Sequence, residues 1–300
     1  MSTGSKLTVY SALCVIWSST WLMIKVGLAG APPFTAAGIR LIIASFLIFV
    51  ILWRRGMRLP RTAAFYRLSL FLGTVQMAGG YGLVYWGEQH ISSGLAAILF
   101  SSMPLLVAVL ARLVVGEALS VLKVIGIIAG VTGVYVIFSD GVSLGGPQSA
   151  SGIVAVLGSV ACTSVSTVTI KKYATAYHPF AAMALPVLLG GLLLSACGLL
   201  FERDRHIEWN GATVFSIVYL AVFGSVIAFS LYFWIIKHIE VTVLSYQTFI
   251  LPILAGLLGW IFLRETVTIR IVIGGSMILA GIALAILPRT RLRRNEGAGP

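Results

Sequence analysis

The sequence predicts an all-α polytopic membrane protein of ten transmembrane helices, arranged as two inverted five-helix repeats with both termini in the cytoplasm. Three observations predict it. The first is composition: 59% of the residues are hydrophobic and 10% are charged, where soluble domains carry about 25% charged residues. The chain is built of apolar runs of about twenty residues, the length that crosses the hydrocarbon core of a bilayer. The second is repetition. The stretch 92–120, with Pro104 near its middle and Glu117 near its end, returns 148 positions later. Pro104 matches Pro252, Glu117 matches Glu265, Gly126 matches Gly274 and Gly133 matches Gly281. The third is charge asymmetry. With the N-terminus inside, fifteen of the 21 basic residues fall in cytoplasmic segments. Only Arg203, Arg205, Arg264 and Arg270 fall outside, and basic residues in short loops set orientation.

In order, the spans are 8–29, 34–53, 66–87, 92–114 and 121–138, then 151–174, 180–201, 212–236, 242–264 and 268–287. Short connections make neighbouring helices antiparallel. The longest polar breaks are 54–61, 139–150 and 202–211. Residues 8–138 form the first repeat, residues 151–287 the second, and 288–300 a basic cytoplasmic tail suited to the inner leaflet. Five spans per half is an odd number, so the second copy crosses in the opposite sense to the first. That plan recurs in secondary transporters, with the solute site near mid-membrane between the halves. In the early spans Pro33-Phe34 matches Pro179-Phe180 and Lys25 matches Lys171 at an offset of 146.

The net charge of +12 is explained by orientation and calls for no nucleic acid. Cys14, Cys162 and Cys197 lie within apolar spans and read as packing residues with free thiols. His90, His178, His206 and His238 fall at boundaries or loops, and no metal-binding or paired-acid motif of an intramembrane enzyme appears. The expectation is therefore no catalytic residue, no metal and no cofactor.

Pro104 and Pro252 each remove a helix hydrogen bond at mid-span, and in lipid the freed carbonyl needs protein or water beside it. Ser101 and Ser102 adjoin the first kink; Tyr246, Gln247 and Thr248 precede the second. Either each kink lines a wet cavity or it is packing alone. Trp17 falls mid-span, away from an interfacial belt, and is followed by Ser18, Ser19 and Thr20. Thr163 and Ser164 hold the matching depth in the second half. These small hydroxyl residues either line a pocket or allow close helix approach. Tyr81 and Tyr85 share a helix face, with Gln76 on a neighbouring one; they suit an amphipathic solute or core packing. Lys25 and Arg40 are the ionisable residues inside apolar sequence, functional candidates by default unless they snorkel to the outer surface. Glu88, Glu117 and Glu265 sit near span ends, the last two as helix-end groups. With no acid deep in a span, the sequence favours a facilitative carrier over a proton-coupled one. Glycines in spans five and ten form a small-residue stripe for scaffold packing or a homodimer contact.

The Trp17–Trp21 stretch, Lys25, the Pro33-Phe34 pair, Arg40, the mid-span prolines and the Gly-Glu and Arg-Glu endings together resemble the drug/metabolite transporter superfamily, in its EamA-type ten-span members. The resemblance covers residues 8–287. It implies a small-metabolite carrier, usually an exporter, in the bacterial cytoplasmic membrane. The solute would sit among spans one, three, four, six, eight and nine. One branch, the aromatic and neutral amino-acid exporters, has a similar tryptophan–serine–threonine stretch. Neutral or aromatic amino acids are thus the first expectation. Drugs, nucleosides and sugars stay open as solutes, and a channel or an intramembrane enzyme as functions.

Overall fold

The computed structural model describes residues 3–115, 120–145, 147–173, 177–235 and 247–296. Among them the chain is nearly all helix. The elements are α1 (Thr3–Leu28), α2 (Pro33–Arg54), α3 (Ala63–Phe71), a π-helical stretch (Leu72–Gly80) and α4 (Tyr81–Glu88). Then come α5 (Ser93–Phe100), α6 (Met103–Val115), α7 (Val121–Gly145), α8 (Pro147–Tyr173) and α9 (Pro179–Phe201). The last are α10 (Gly211–Ala221), a second π-helical stretch (Val222–Ile227), α11 (Ala228–Ile235), α12 (Gln247–Leu263) and α13 (Ile269–Glu296). The π stretches join α3 to α4 and α10 to α11. Among the described residues, six helices are long and apolar enough to cross a membrane, and three shorter apolar ones accompany them. Their outward faces are apolar at mid-length: Phe46 is 66% exposed, Val131 65% and Leu192 51%. Apolar patches of that extent suit lipid, not water.

The sequence starts these helices in familiar ways. Ser92, Thr62 and Asn210 stand at N-caps and accept hydrogen bonds from Leu95 N, Phe65 N and Thr213 N, each satisfying one orphan donor of a first turn. Pro33 and Pro179 open α2 and α9, where the missing N–H costs nothing. The polar break expected over 139–150 is shorter than that: α7 runs to Gly145 and α8 begins at Pro147. Backbone hydrogen bonding carries a helix past the end of its apolar face. In the same way α13 continues to Glu296, beyond the span limit at 287. The kink at Pro104 is a break, with Ser101 and Ser102 forming a turn between α5 and α6. Pro252 sits inside a continuous α12. Pro186 inside α9 is, with Pro252, a second proline within a continuous helix, plain in the sequence but outside the repeat that drew attention to Pro104 and Pro252.

Helices pair closely and in opposite directions. Along α7 and α13, a β-carbon added to Gly133 would collide with the Gly274 carbonyl, and one added to Gly281 with the Gly126 carbonyl. The glycine stripe is thus spent on packing within one chain. Along α2 and α9, Glu202 at the end of α9 meets Phe34 and Thr35 at the start of α2. The Arg55 guanidinium, just past the end of α2, lies 5.7 Å from the Phe180 ring at the start of α9. One end of the bundle gathers several connections: Glu208 N donates to Gly30 O, Ser149 Oγ to His90 O, and Ser93 N to Glu265 Oε1.

Candidate functional site

Arg40 projects from α2 into the bundle and is 2% exposed; it does not reach the surface. Its Nη1 donates to the Tyr85 hydroxyl at 3.2 Å. The guanidinium carbon lies 5.0 Å from the Tyr81 ring centroid and 6.0 Å from that of Tyr85, within cation–π range. Tyr81 and Tyr85 share one face of α4, as their spacing predicts, and α4 begins where the first π stretch ends. On the opposite side the guanidinium backs onto the second π stretch. A β-carbon on Gly224 would stand 3.3 Å from Arg40 Nη2 and 2.9 Å from Thr20 Cγ2. The second widened turn thus backs onto the buried cation, and the first ends one residue before Tyr81, whose ring meets it. Such turns concentrate at functional sites. Arg40 Nε has no hydrogen-bond partner.

Nearer the capped end, the Lys25 ammonium donates to the backbone carbonyls of Glu88 and Ile91. It ties the end of α1 to the end of α4. Glu88, one turn beyond Tyr85, is wholly buried, and neither carboxylate oxygen has a hydrogen-bond partner. Glu88 thus does not lie exposed at a boundary, as a place at a span end suggested. Sequence gives depth along a helix but not which side faces the neighbours, and here α1, α2 and α8 close around it. His90, in the connection after α4, packs edge-on against Trp86 at 4.6 Å. Partial burial, with the positive charges of Lys25 and Arg205, lowers its pKa below the usual imidazole value.

Two carboxylates fasten helix starts at the same end. Glu265 accepts from Ser93 N and Ser93 Oγ, each at 2.8 Å, and from Gly94 N at 3.2 Å. The helix-end role expected of it is what the structure contains. Glu202, which the sequence reading passes over, accepts from Phe34 N and Thr35 N at 2.9 Å and from Thr35 Oγ1 at 2.7 Å. An acid just past a span end is the signal that could have found it, since negative charge belongs at helix N-termini.

Of the other predicted residues, Thr20 borders this cluster through Gly224. Trp17 packs against Phe229 and Tyr232, at 6.4 Å and 5.5 Å. Ser18 is buried and donates to Cys14 O; Thr20 donates to Trp17 O. Ser101 and Ser102 donate to Ile98 O and Leu99 O, so all four hydroxyls are engaged by the preceding turn. Ser164 reaches Met103 O at 3.5 Å, the long end of the range, beside Pro104. Thr163 faces Gly80 across α8 and the first π stretch. Gln76 is partly buried on that stretch, and Gln247 Oε1 is buried without a partner. Pro252 lines a groove of about 430 Å³ with Leu95, Ile98 and Gly256. Tyr246 and Glu117 lie outside the described residues. Two contacts had no sequence signal: Ser19 and Tyr219 hydroxyls 2.7 Å apart, and the Trp21 and Phe100 rings 5.4 Å apart. Among the described residues no group of three or more His, Cys, Asp or Glu is placed to hold a metal ion.

Comparison with known proteins agrees with this architecture. A crystal structure of a protein superposes with a TM-score of 0.67 over 97% of this chain and 99% of that one, at 22% identity, a likeness of fold. The uncharacterized transporter YvbV of Bacillus subtilis is 30% identical over 274 residues, covering 91% of this chain and 88% of that protein. The uncharacterized inner membrane transporter YedA of Escherichia coli K12 is 29% identical, covering 83% and 79%. Protein PagO of Salmonella typhimurium is 25% identical, covering 82% and 81%. Residues 6–139 and 150–287 each match the EamA-like transporter family. This multi-pass membrane protein belongs to the EamA-like transporter family, within the drug/metabolite transporter superfamily.

Proposed function

We propose that the chain exports small amphipathic metabolites, neutral or aromatic amino acids first among them, across the bacterial cytoplasmic membrane. It does so by alternating access between two inverted five-helix repeats, residues 8–138 and 151–287, with ten crossings and both termini inside. The glycine contacts support the inverted plan. Gly133 meets Gly274 and Gly281 meets Gly126, and each contact becomes the other when its members exchange at the 148-residue offset. A two-fold axis in the membrane plane produces such an exchange. The gathering of residues near 30, 90, 150, 205 and 265 at one end supports an odd number of crossings in the first half. The basic residues assign that end to the outside.

The observation that carries the solute class is Arg40. A buried guanidinium with an unspent Nε donor, beside two tyrosine rings and the second π turn, suits a carboxylate attached to an apolar or aromatic body. The test is counterflow in proteoliposomes. Unlabelled phenylalanine or leucine inside should accelerate entry of the labelled amino acid, as a carrier requires and a channel does not. Lack of acceleration with every neutral amino acid tried would sink the solute assignment.

A further inference from the structure

Among the described residues, Glu88 is a wholly buried charged group that the site so far leaves unexplained. Its carboxylate is wholly buried and receives no hydrogen bond. It is the last residue of α4, at the carbonyl end of a helix, where negative charge is unfavourable. The groups facing it are otherwise engaged. Lys25, from α1, directs its ammonium to backbone carbonyls. Arg40, from α2, directs Nη1 to Tyr85 and its face to Tyr81. Glu265, beyond α12, has both oxygens taken by Ser93 and Gly94. His90 follows on the same segment and packs on Trp86. From α8, Gly152 and Val156 meet this end of α4 at Gly87, and Ser149 bonds the His90 carbonyl. An ionised carboxylate left without a donor in such an interior costs several kcal/mol, so this closed arrangement holds the neutral acid.

We propose that Glu88 is the coupling group of proton-linked transport, carrying one proton per cycle. The inference rests on the transporter reading and replaces the facilitative mechanism that an apparent lack of buried acids suggested. In the closed form the carboxyl holds its proton. When the bundle opens and water reaches the cluster, the O–H bond breaks and the proton passes to water. The carboxylate left behind is then stabilised by the Lys25 ammonium beside it. With solute bound the carboxylate crosses ionised, and on opening to the opposite face it takes a proton from the water there as the solute leaves, so that one proton is carried across per cycle.

Three measurements test this. Infrared spectra of the purified protein in detergent, titrated with pH, need no solute. Wild type should show the C=O stretch of a buried protonated carboxyl that Glu88→Gln lacks, and identical spectra would overturn the proposal. In proteoliposomes with an internal pH dye, adding L-phenylalanine to one side should move protons through wild type; net phenylalanine transport without proton movement would overturn it. A pH gradient of about one unit should drive up to about tenfold accumulation of phenylalanine by wild type. Glu88→Gln should lose that response and Glu88→Asp keep part of it, whereas Glu88→Gln accumulating as wild type does would overturn the assignment. If wild type exchanges no phenylalanine, the solute assignment fails while the infrared result still decides the role of Glu88.

Discussion

Two antiparallel helix pairs run through the bundle and are joined by opposite means. Between α7 and α13 the contact is backbone on backbone, glycine against glycine carbonyl, with Ile137 and Ile278 filling the flanks. Between α2 and α9 glycines also admit close approach, Gly38 against Ser195 and Gly191 against Leu41 and Ile42. The ends of that pair, however, are fastened by polar groups: Glu202 on the amides of Phe34 and Thr35, and Arg55 over Phe180. The difference teaches where the molecule can move. Separating glycine-zipped helices leaves a void that nothing fills, because close packing is what holds them in lipid. A carboxylate cap can exchange its amide partners for water at the membrane surface. Arg40 is carried by the helix with the releasable fastening, whereas α7 and α13 have the character of a fixed frame.

Gly281→Leu breaks the frame and should have the largest effect. Its β-carbon alone would collide with the Gly126 carbonyl and stand 3.1 Å from Gly130 N, and backbone cannot give way as a side chain can. Overpacking of this kind costs about 1–3 kcal/mol or more. Thermal melting followed by size-exclusion chromatography should show a sharp loss of folded protein; an unchanged midpoint would remove the frame from the picture. Arg40→Ala comes next, with loss of a desolvated cation–π contact worth about 2 kcal/mol. The protein should still fold, with a lowered midpoint, and should lose amino-acid exchange. Arg40→Lys should not restore exchange, because a point charge cannot stack and donate as the planar fork does. Full exchange by Arg40→Ala would place the solute elsewhere.

The frame and the pairing were largely legible in the sequence, and the burial of the site was not. Apolar run length dictates where helices cross, and Ser92, Thr62, Asn210, Pro33 and Pro179 mark their starts by chemistry that needs no tertiary context. The repeat singled out Gly126, Gly133, Gly274 and Gly281, the same residues that pack. The π stretches escaped notice because a widened turn is selected by packing against neighbours; Gly73, with Leu189 and the Pro186 carbonyl against it, is such a place. Glu88 was seen but assigned to the surface, since a span limit says nothing about which helices close over its last residue. The serines and threonines of α1 were legible as a hydroxyl row. Their bonds to carbonyls three and four residues back are a local option open to any helix, so the row does not distinguish a pocket from a packed face.

Smaller changes sharpen the contrast between fastenings. Glu202→Ala removes three accepted hydrogen bonds at the start of α2 and should cost about 1 kcal/mol, the usual worth of a cap. Glu202→Gln, which keeps one acceptor oxygen, should cost less. Arg55→Ala, at the exposed end of the same pair, should cost about 0.5 kcal/mol. Equal midpoints for Glu202→Ala and Arg55→Ala would mean that the two fastenings do not differ in strength.

The smallest effects come from a glycine pair that separates close approach from mere helix membership. Gly94 at the start of α5 and Gly256 in α12 face one another. A β-carbon on Gly94 would stand 2.8 Å from Gly256 Cα, yet one on Gly256 meets nothing within 4 Å and points into the groove beside Pro252. Gly94→Ala should therefore lower the melting midpoint. Gly256→Ala should raise it by the equivalent of about 0.4–1 kcal/mol, because alanine loses less backbone freedom on folding than glycine does. Opposite signs for two contacting glycines require that the α5–α12 interface be seated as described, with space on one side only. If both substitutions lower the midpoint, the groove is filled in the working protein and α12 lies closer to α5 and α13 than in this arrangement.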